Sequence, residues 1–147
     1  MRRWTGVILV IALSLAAAGC DSLAALMALF GPSVTSVRLV NNTSANVEGT
    51  LYFSGEQDIP EDLLTTDLLA TEVEFEIAAG ASRVIRTESC EDLQAVIIDK
   101  AELLLLPGLS PDTGSDVLRD GEDFHCGDEV VFTFALAPDF TVTGTAQ

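Results

Sequence analysis

Residues 72–77 read EVEFEI, and in this stretch charged and apolar side chains alternate at every position. A period of two places Val73, Phe75 and Ile77 on one face of an extended strand and the three glutamates on the other. One face therefore packs into a core while the other meets water. The pattern predicts a β-strand in a sheet with one solvent-exposed face.

The same period recurs along the chain, in residues 47–54 (VEGTLYFS), 130–136 (VVFTFAL) and 140–145 (FTVTGT). Residues 35–40 and 83–87 are rich in β-branched side chains, which predicts two further strands. Residues 95–106 are apolar almost throughout. This stretch favours a long central strand, with a helix as the alternative.

The segments between these strands have the composition of turns. Residues 41–44 (NNTS) separate two strands, and residues 78–81 (AAGA) predict a short hairpin link. Asp58 as a capping residue and Pro60 as an early helical residue predict a short helix over about residues 60–69. Residues 108–127 have no periodicity and predict a long polar loop.

About seven short strands with turns between them predict a mostly β fold, a small antiparallel β-sandwich of immunoglobulin-like type with one short helix. The tryptophan expected in a true immunoglobulin domain is missing, because the one tryptophan of the chain is Trp4. The fold class is therefore better determined than the strand order.

The amino terminus has the three parts of a signal peptide. Met1–Arg3 is a short positive region, Val7–Leu15 is apolar, and Ala16–Gly19 is a run of small residues that ends at Cys20. This run resembles the lipobox of bacterial lipoproteins, although that family favours leucine three places before the cysteine and Ala17 stands there.

The lipobox resemblance implies that the sulfur of Cys20 carries a diacylglycerol and that the chain is held to a membrane by lipid. It predicts a signal peptide over residues 1–19, which forms a helix, a lipidated tether over residues 20–32 and a β-sandwich domain over residues 33–147. The alternatives are an uncleaved anchor from Val7 to Phe30, which Asp21 would interrupt at a high cost, and ordinary cleavage after Ala18.

Cysteine parity agrees with lipidation, because three cysteines in an exported protein leave one unpaired. Once Cys20 is lipidated, Cys90 and Cys126 remain as a candidate disulfide. The alternative is a metal site formed by Cys90, His125, Cys126 and a carboxylate. The spacing of these ligands does not match that of zinc sites.

The chain has 7 Lys and Arg against 23 Asp and Glu, a net charge of −16. Removal of Arg2 and Arg3 with the signal leaves five cations and a net charge of −18, because no acid precedes Asp21. Such a domain repels nucleic acid and anionic lipid head groups. The charge therefore excludes nucleic acid as a partner and favours cationic proteins or divalent cations.

Seven acids lie between residues 112 and 129, with Arg119 as the only cation. Hard oxygen ligands suit calcium, although the ligand ladder of an EF-hand is absent. The alternative is a solvated polar loop. The weak candidates for a calcium site are Asp112, Asp116, Asp120, Glu122 and Asp123, and we expect no other cofactor.

The sequence contains no G-x-S-x-G motif, no P-loop and no G-x-G-x-x-G motif, and His125 is its only histidine. Residues 120–128 are similar to stretches in small uncharacterised bacterial lipoproteins, a resemblance that implies no activity. We therefore expect a non-enzymatic, lipid-anchored interaction or structural module of the cell envelope, in the inner or the outer membrane, with an envelope protein as partner. The alternatives are a calcium-dependent binding module that uses the 112–129 loop and a hydrolase of unknown class.

Overall fold

The computed structural model describes residues 35–66, 69–87, 89–105 and 111–147. The predicted signal peptide, Cys20 and the tether lie outside these residues. Within the described ranges, no helix has the length and apolar character needed to cross a membrane.

The described residues form nine strands, one four-residue helix and a 3-10 turn at Cys90–Asp92. The strands and the helix are β1 (Ser36–Asn41), β2 (Asn46–Ser54), α1 (Glu61–Leu64), β3 (Thr71–Ile77), β4 (Ser82–Arg86), β5 (Ala95–Leu104), β6 (Asp112–Thr113), β7 (Leu118–Arg119), β8 (Glu129–Leu136) and β9 (Phe140–Ala146).

The strands form two sheets that share one core. Sheet A has the order β4-β1-β8-β9, and sheet B has the order β3-β2-β5, with both β6 and β7 paired to β5. Buried residues of both sheets make up the main cluster, among them Val37 and Leu39 of sheet A and Val47 and Leu51 of sheet B. The mostly β, two-sheet architecture predicted from the alternating pattern is confirmed, and the immunoglobulin-like relationship stays a prediction.

The prediction of a wholly antiparallel sandwich is wrong at one pair of strands. β1 runs parallel to β8, with Ser36 opposite Glu129 and Asn41 opposite Phe134. An alternating pattern decides which side chains are buried, but it contains no information about the direction of the neighbouring strand. Parallel neighbours need a long crossover, and here residues 42–128 form it.

Phe75 of β3 and Phe134 of β8 join the two sheets at the centre of the core, with ring centroids 5.6 Å apart. Gly49 of β2 makes room for the Phe75 ring. A Cβ added at Gly49 would lie 2.8 Å from Cζ of Phe75 and 2.3 Å from the carbonyl oxygen of Lys100. A side chain at position 49 is therefore incompatible with this packing.

The predicted hairpin at residues 78–81 is a tight turn, but the strands it connects do not pair with each other. The N–H of Ala81 donates to the carbonyl of Ala78 at 3.0 Å, and Gly80 has a φ of 69°. β3 belongs to sheet B and β4 to sheet A, so the turn carries the chain across the sandwich. Turn composition predicts that the chain reverses direction, whereas packing in the core decides which sheet the next strand joins.

A buried asparagine, Asn41, holds together the corner formed by the turn at residues 78–81 and the connection from β1 to β2. Asn41 Nδ2 donates to the carbonyls of Ala45, Ile77 and Ala78 at 2.8, 3.0 and 3.1 Å. Its Oδ1 accepts hydrogen bonds from the backbone N–H and the hydroxyl of Thr43. One side chain thus satisfies backbone groups in two of the connections between the sheets, from β1 to β2 and from β3 to β4.

The apolar stretch that begins at residue 95 is strand β5, so the helix alternative is wrong. At its start both faces are covered: Val96 and Ile98 lie in the main core, while Ala95 and Ile97 lie in a second cluster with Tyr52, Ile59 and Leu64 on the outer side of sheet B. This double burial explains why the segment has no alternation. A bulge at Asp99 then shifts the phase, so that Ala101 and Leu103 face the main core.

Two local predictions need correction. The helix spans Glu61–Leu64 and not about 60–69, and its N-cap is Pro60, which makes no side-chain capping bond, where Asp58 was expected. The region predicted as a polar loop contains the short strands β6 and β7, which both pair with β5. Two-residue strands are too short to produce a detectable period.

Candidate functional site

The outer face of sheet B carries acidic side chains on four neighbouring strands, which we call the acidic face. Its members are Glu72, Glu74 and Glu76 of β3, Glu48 of β2, Glu102 of β5 and Asp112 of β6, together with Lys100 of β5. The alternation in β3 explains why its three glutamates share this face, since Val73, Phe75 and Ile77 point to the other side.

Strand register aligns four of these acids in a single row across the sheet. Glu48 lies opposite Glu76 on one side and opposite Glu102 on the other, and Glu102 lies opposite Asp112. Neighbouring strands are about 4.8 Å apart, so the row extends for roughly 14 Å. We call these four residues the carboxylate row.

Like charges directly opposite each other across strands destabilise a sheet. Among the described residues of the acidic face, Lys100 is the one that is basic. Its Nζ is 4.0 Å from Oδ2 of Asp112, and both side chains are more than half exposed. Asn46 Nδ2 donates to Oε1 of Glu76 at 3.3 Å. These contacts lie at the two ends of the row, so Glu48 and Glu102 keep acidic neighbours on both sides.

A shallow depression of about 490 Å³ lies along the carboxylate row. Its walls are formed by Glu48, Gly49, Thr50, Glu74, Phe75, Glu76, Lys100 and Glu102. The depression is open to solvent and lined by carboxylates on three adjacent strands. Its carboxylates are spread along the sheet and do not converge on one point.

The outer face of sheet A has a different character. Arg38 donates from Nε and Nη2 to the two carboxylate oxygens of Glu129, both at 2.9 Å. These hydrogen bonds lower the pKa of Glu129 and raise the pKa of Arg38. Apart from this pair and Arg86, the residues on the outer face of sheet A are uncharged, so the two outer faces differ strongly in charge.

The structure joins Cys90 and Cys126 in a disulfide, with Cα atoms 5.4 Å apart. Both residues lie outside the strands, Cys90 in the 3-10 turn and Cys126 in the connection before β8. The bond therefore connects two surface segments and does not cross the core. Both sulfur atoms are used, so neither is left as a metal ligand beside His125.

The five candidate calcium ligands are not gathered at one point. Asp112 lies on β6 in the carboxylate row, and Asp116 and Glu122 are exposed. Oδ2 of Asp123 accepts the backbone N–H of Arg119 at 2.9 Å, which caps a turn, and Asp120 N–H donates to the carbonyl of Gln94. Within the described ranges, no three His, Cys, Asp or Glu side chains are grouped as metal ligands. Calcium binding stays an untested alternative.

Arg119, the only cation of residues 112–129, makes hydrogen bonds within the domain. Its Nη2 donates to the carbonyl of Ile59 at 2.9 Å, and its Nη1 donates to the carbonyl of Gln57. It therefore holds the segment before α1 against β7. In the next turn, Oδ2 of Asp128 accepts the backbone N–H of His125 at 2.8 Å.

The carboxylate row was not foreseen from the sequence. The pattern of residues 72–77 shows three glutamates on one face of a strand, but it does not show which strand lies beside them. Glu48, Glu76 and Glu102 are separated by 28 and 26 positions in the chain. Only the strand register brings them together.

Among solved structures, the chain is similar to the T6SS lipoprotein TssJ1 from Pseudomonas aeruginosa, with 15% identity, a TM-score of 0.49 and coverage of 79% of this chain and 97% of that chain. It is also similar to a protein from Eubacterium rectale, with 11% identity, a TM-score of 0.40 and coverage of 77% and 89% respectively. No protein-family model and no curated protein sequence matches this chain.

Proposed function

We propose that this protein is a non-enzymatic interaction module of the cell envelope, anchored by lipid on Cys20, that binds a basic protein segment through its acidic face. The observation that carries this proposal is the carboxylate row, in which Glu76, Glu48, Glu102 and Asp112 lie side by side across sheet B.

The electrostatics of the row support a cationic partner. Directly opposed carboxylates cost stability in the isolated domain, and a partner that places Lys or Arg side chains over the row removes this cost on binding. The spacing of about 4.8 Å between the strands that carry the row suits separate cationic side chains of an extended segment better than one metal ion. Complementary charge of this kind contributes mainly to association rate and specificity.

The experiment is photocrosslinking of the full chain in its native membranes, with the crosslinker at Thr50, a half-buried position that lines the depression along the row. A variant with Glu48→Gln and Glu102→Gln neutralises the middle of the row. The matched control, Glu56→Gln with Glu61→Gln, removes the same charge from exposed positions away from it.

We expect the wild type and the control to capture the same partner, through a peptide rich in Lys or Arg, and the row variant to lose it. Raised salt should weaken capture by screening, whereas removal of calcium by a chelator should leave it unchanged. Equal capture by the row variant and the control would contradict the proposal, and a loss on chelation would favour the calcium-dependent alternative.

The anchor is tested separately with Cys20→Ala. This variant should leave the membrane fraction or accumulate as the uncleaved precursor, because no sulfur remains to take the lipid. Mass spectrometry of the mature wild type supplies the complementary measurement. An unmodified amino terminus would contradict lipid anchoring without affecting the assignment of the acidic face.

A further inference from the structure

The outer edge of sheet A is formed by β9, a seven-residue strand (FTVTGTA) without any charged residue or proline. The other edge strands differ. β3 carries three glutamates, the five-residue β4 carries Arg83 and Arg86, and β6 and β7 are only two residues long. Charges and short length are the usual means by which an edge strand avoids pairing with another chain. β9 is neither charged nor short, although the chain as a whole has a net charge of −16.

Backbone hydrogen bonds show which groups of β9 face outward. Glu129 and Gln147 exchange two N–H···O bonds, both 3.0 Å long. Since such pairs alternate along an antiparallel ladder, Thr145, Thr143 and Thr141 bond to β8. The N–H and C=O groups at positions 140, 142, 144 and 146 therefore point away from the sheet, and none of them bonds to another described residue across the free edge.

The side chains of β9 are arranged almost symmetrically about Thr143. Thr141, Thr143 and Thr145 are exposed on the outer face, while Val142 and Gly144 are half-buried on the inner face. If two β9 strands lie antiparallel with Thr143 opposite Thr143, all seven residues overlap. Each threonine then faces a threonine, and Val142 faces Gly144. Threonine pairs across strands are favourable.

We propose that β9 pairs with β9 of a second copy of this chain, in an antiparallel register centred on Thr143, which joins the two A sheets into one. A second copy fits better than a foreign basic strand, because β9 offers no carboxylate to select one. The pairing also joins the molecules at their least charged edge, since the acidic face belongs to sheet B. It leaves both acidic faces accessible and does not depend on what they bind.

The test is disulfide crosslinking of the full chain in native membranes, where the exported domain meets an oxidising environment. In the proposed register two copies of Thr143→Cys lie directly opposite, at a Cα separation of about 4.5 Å that permits a disulfide. Thr141 lies opposite Thr145 of the second copy. Thr141→Cys alone and Thr145→Cys alone should therefore stay monomeric, whereas co-expression of these two variants should give the crosslinked dimer.

All three positions are exposed on the same strand, so they serve as controls for one another in accessibility and expression. Resistance of each variant to limited proteolysis, relative to the wild type, checks that the fold is intact. A dimer band from Thr143→Cys and from the co-expressed pair, absent from the two single variants, supports the proposal. Crosslinking of equal strength at all three positions, or at none, would overturn it.

Discussion

Neutralising the middle of the carboxylate row should stabilise the domain. Glu48 has two acidic neighbours directly across the strands, Glu76 and Glu102. Two unit charges about 6 Å apart in water repel by roughly 0.7 kcal/mol, so Glu48→Gln relieves about 1.4 kcal/mol without added salt. At 0.1 M ionic strength the Debye length of about 10 Å reduces this to roughly 0.8 kcal/mol.

For a domain of about a hundred residues, 1 kcal/mol raises the Tm by roughly 4–8 °C. We therefore expect Glu48→Gln to raise the Tm by several degrees at low salt and by about half as much at 0.1 M salt. The assay is thermal unfolding followed by circular dichroism at neutral pH. Glu56→Gln is the control, since Glu56 is exposed and lies outside the strands.

The control also loses one negative charge, so it measures the relief that comes from the net charge of the whole domain. The contribution of the row is the difference between the two variants, and this difference should shrink as salt is added. An equal rise in both variants would refute the reasoning, because the repulsion would then be general. A lower Tm in Glu48→Gln would show that the glutamate makes a favourable contact that outweighs its neighbours.

Three further predictions concern other parts of the domain. Asn41→Asp removes the Nδ2 donor from the buried carbonyl of Ile77 and from the part-buried carbonyls of Ala45 and Ala78. It should cost about 2–3 kcal/mol in urea unfolding, so a loss below about 1 kcal/mol would contradict the corner role of Asn41. Arg38 lowers the pKa of Glu129 in the folded state, so this pair stabilises the fold above the ordinary glutamate pKa and loses that contribution as the pH falls through the lowered value. In Arg38→Met the Tm should therefore fall less steeply with pH in acid than in the wild type. Identical Tm profiles of the two proteins would refute this. Calcium and sodium at equal ionic strength should raise the Tm equally, and a calcium-specific rise of several degrees that disappears in Asp120→Ala would instead establish a cation site.

The alternating stretches were enough to predict the β class of this domain. Burial follows the period of two in β3, where Phe75 and Ile77 are buried and the intervening glutamates are exposed. Cysteine parity, through the assignment of Cys20, likewise led to the Cys90–Cys126 pair that the structure contains. These predictions succeed because each depends on a property of single residues, either burial or the need of a thiol for a partner.

Tertiary structure alone decided which strands are neighbours. It placed β1 parallel to β8 and sent the turn after β3 into the other sheet. It also covered the outer side of β5 with the segment around α1, which is why the apolar run from Ala95 is a strand buried on both faces. The carboxylate row depends on the register of β3, β2, β5 and β6. A side-chain pattern records whether each residue meets water, but the identity of the residue opposite it depends on long-range pairing, which local sequence does not contain.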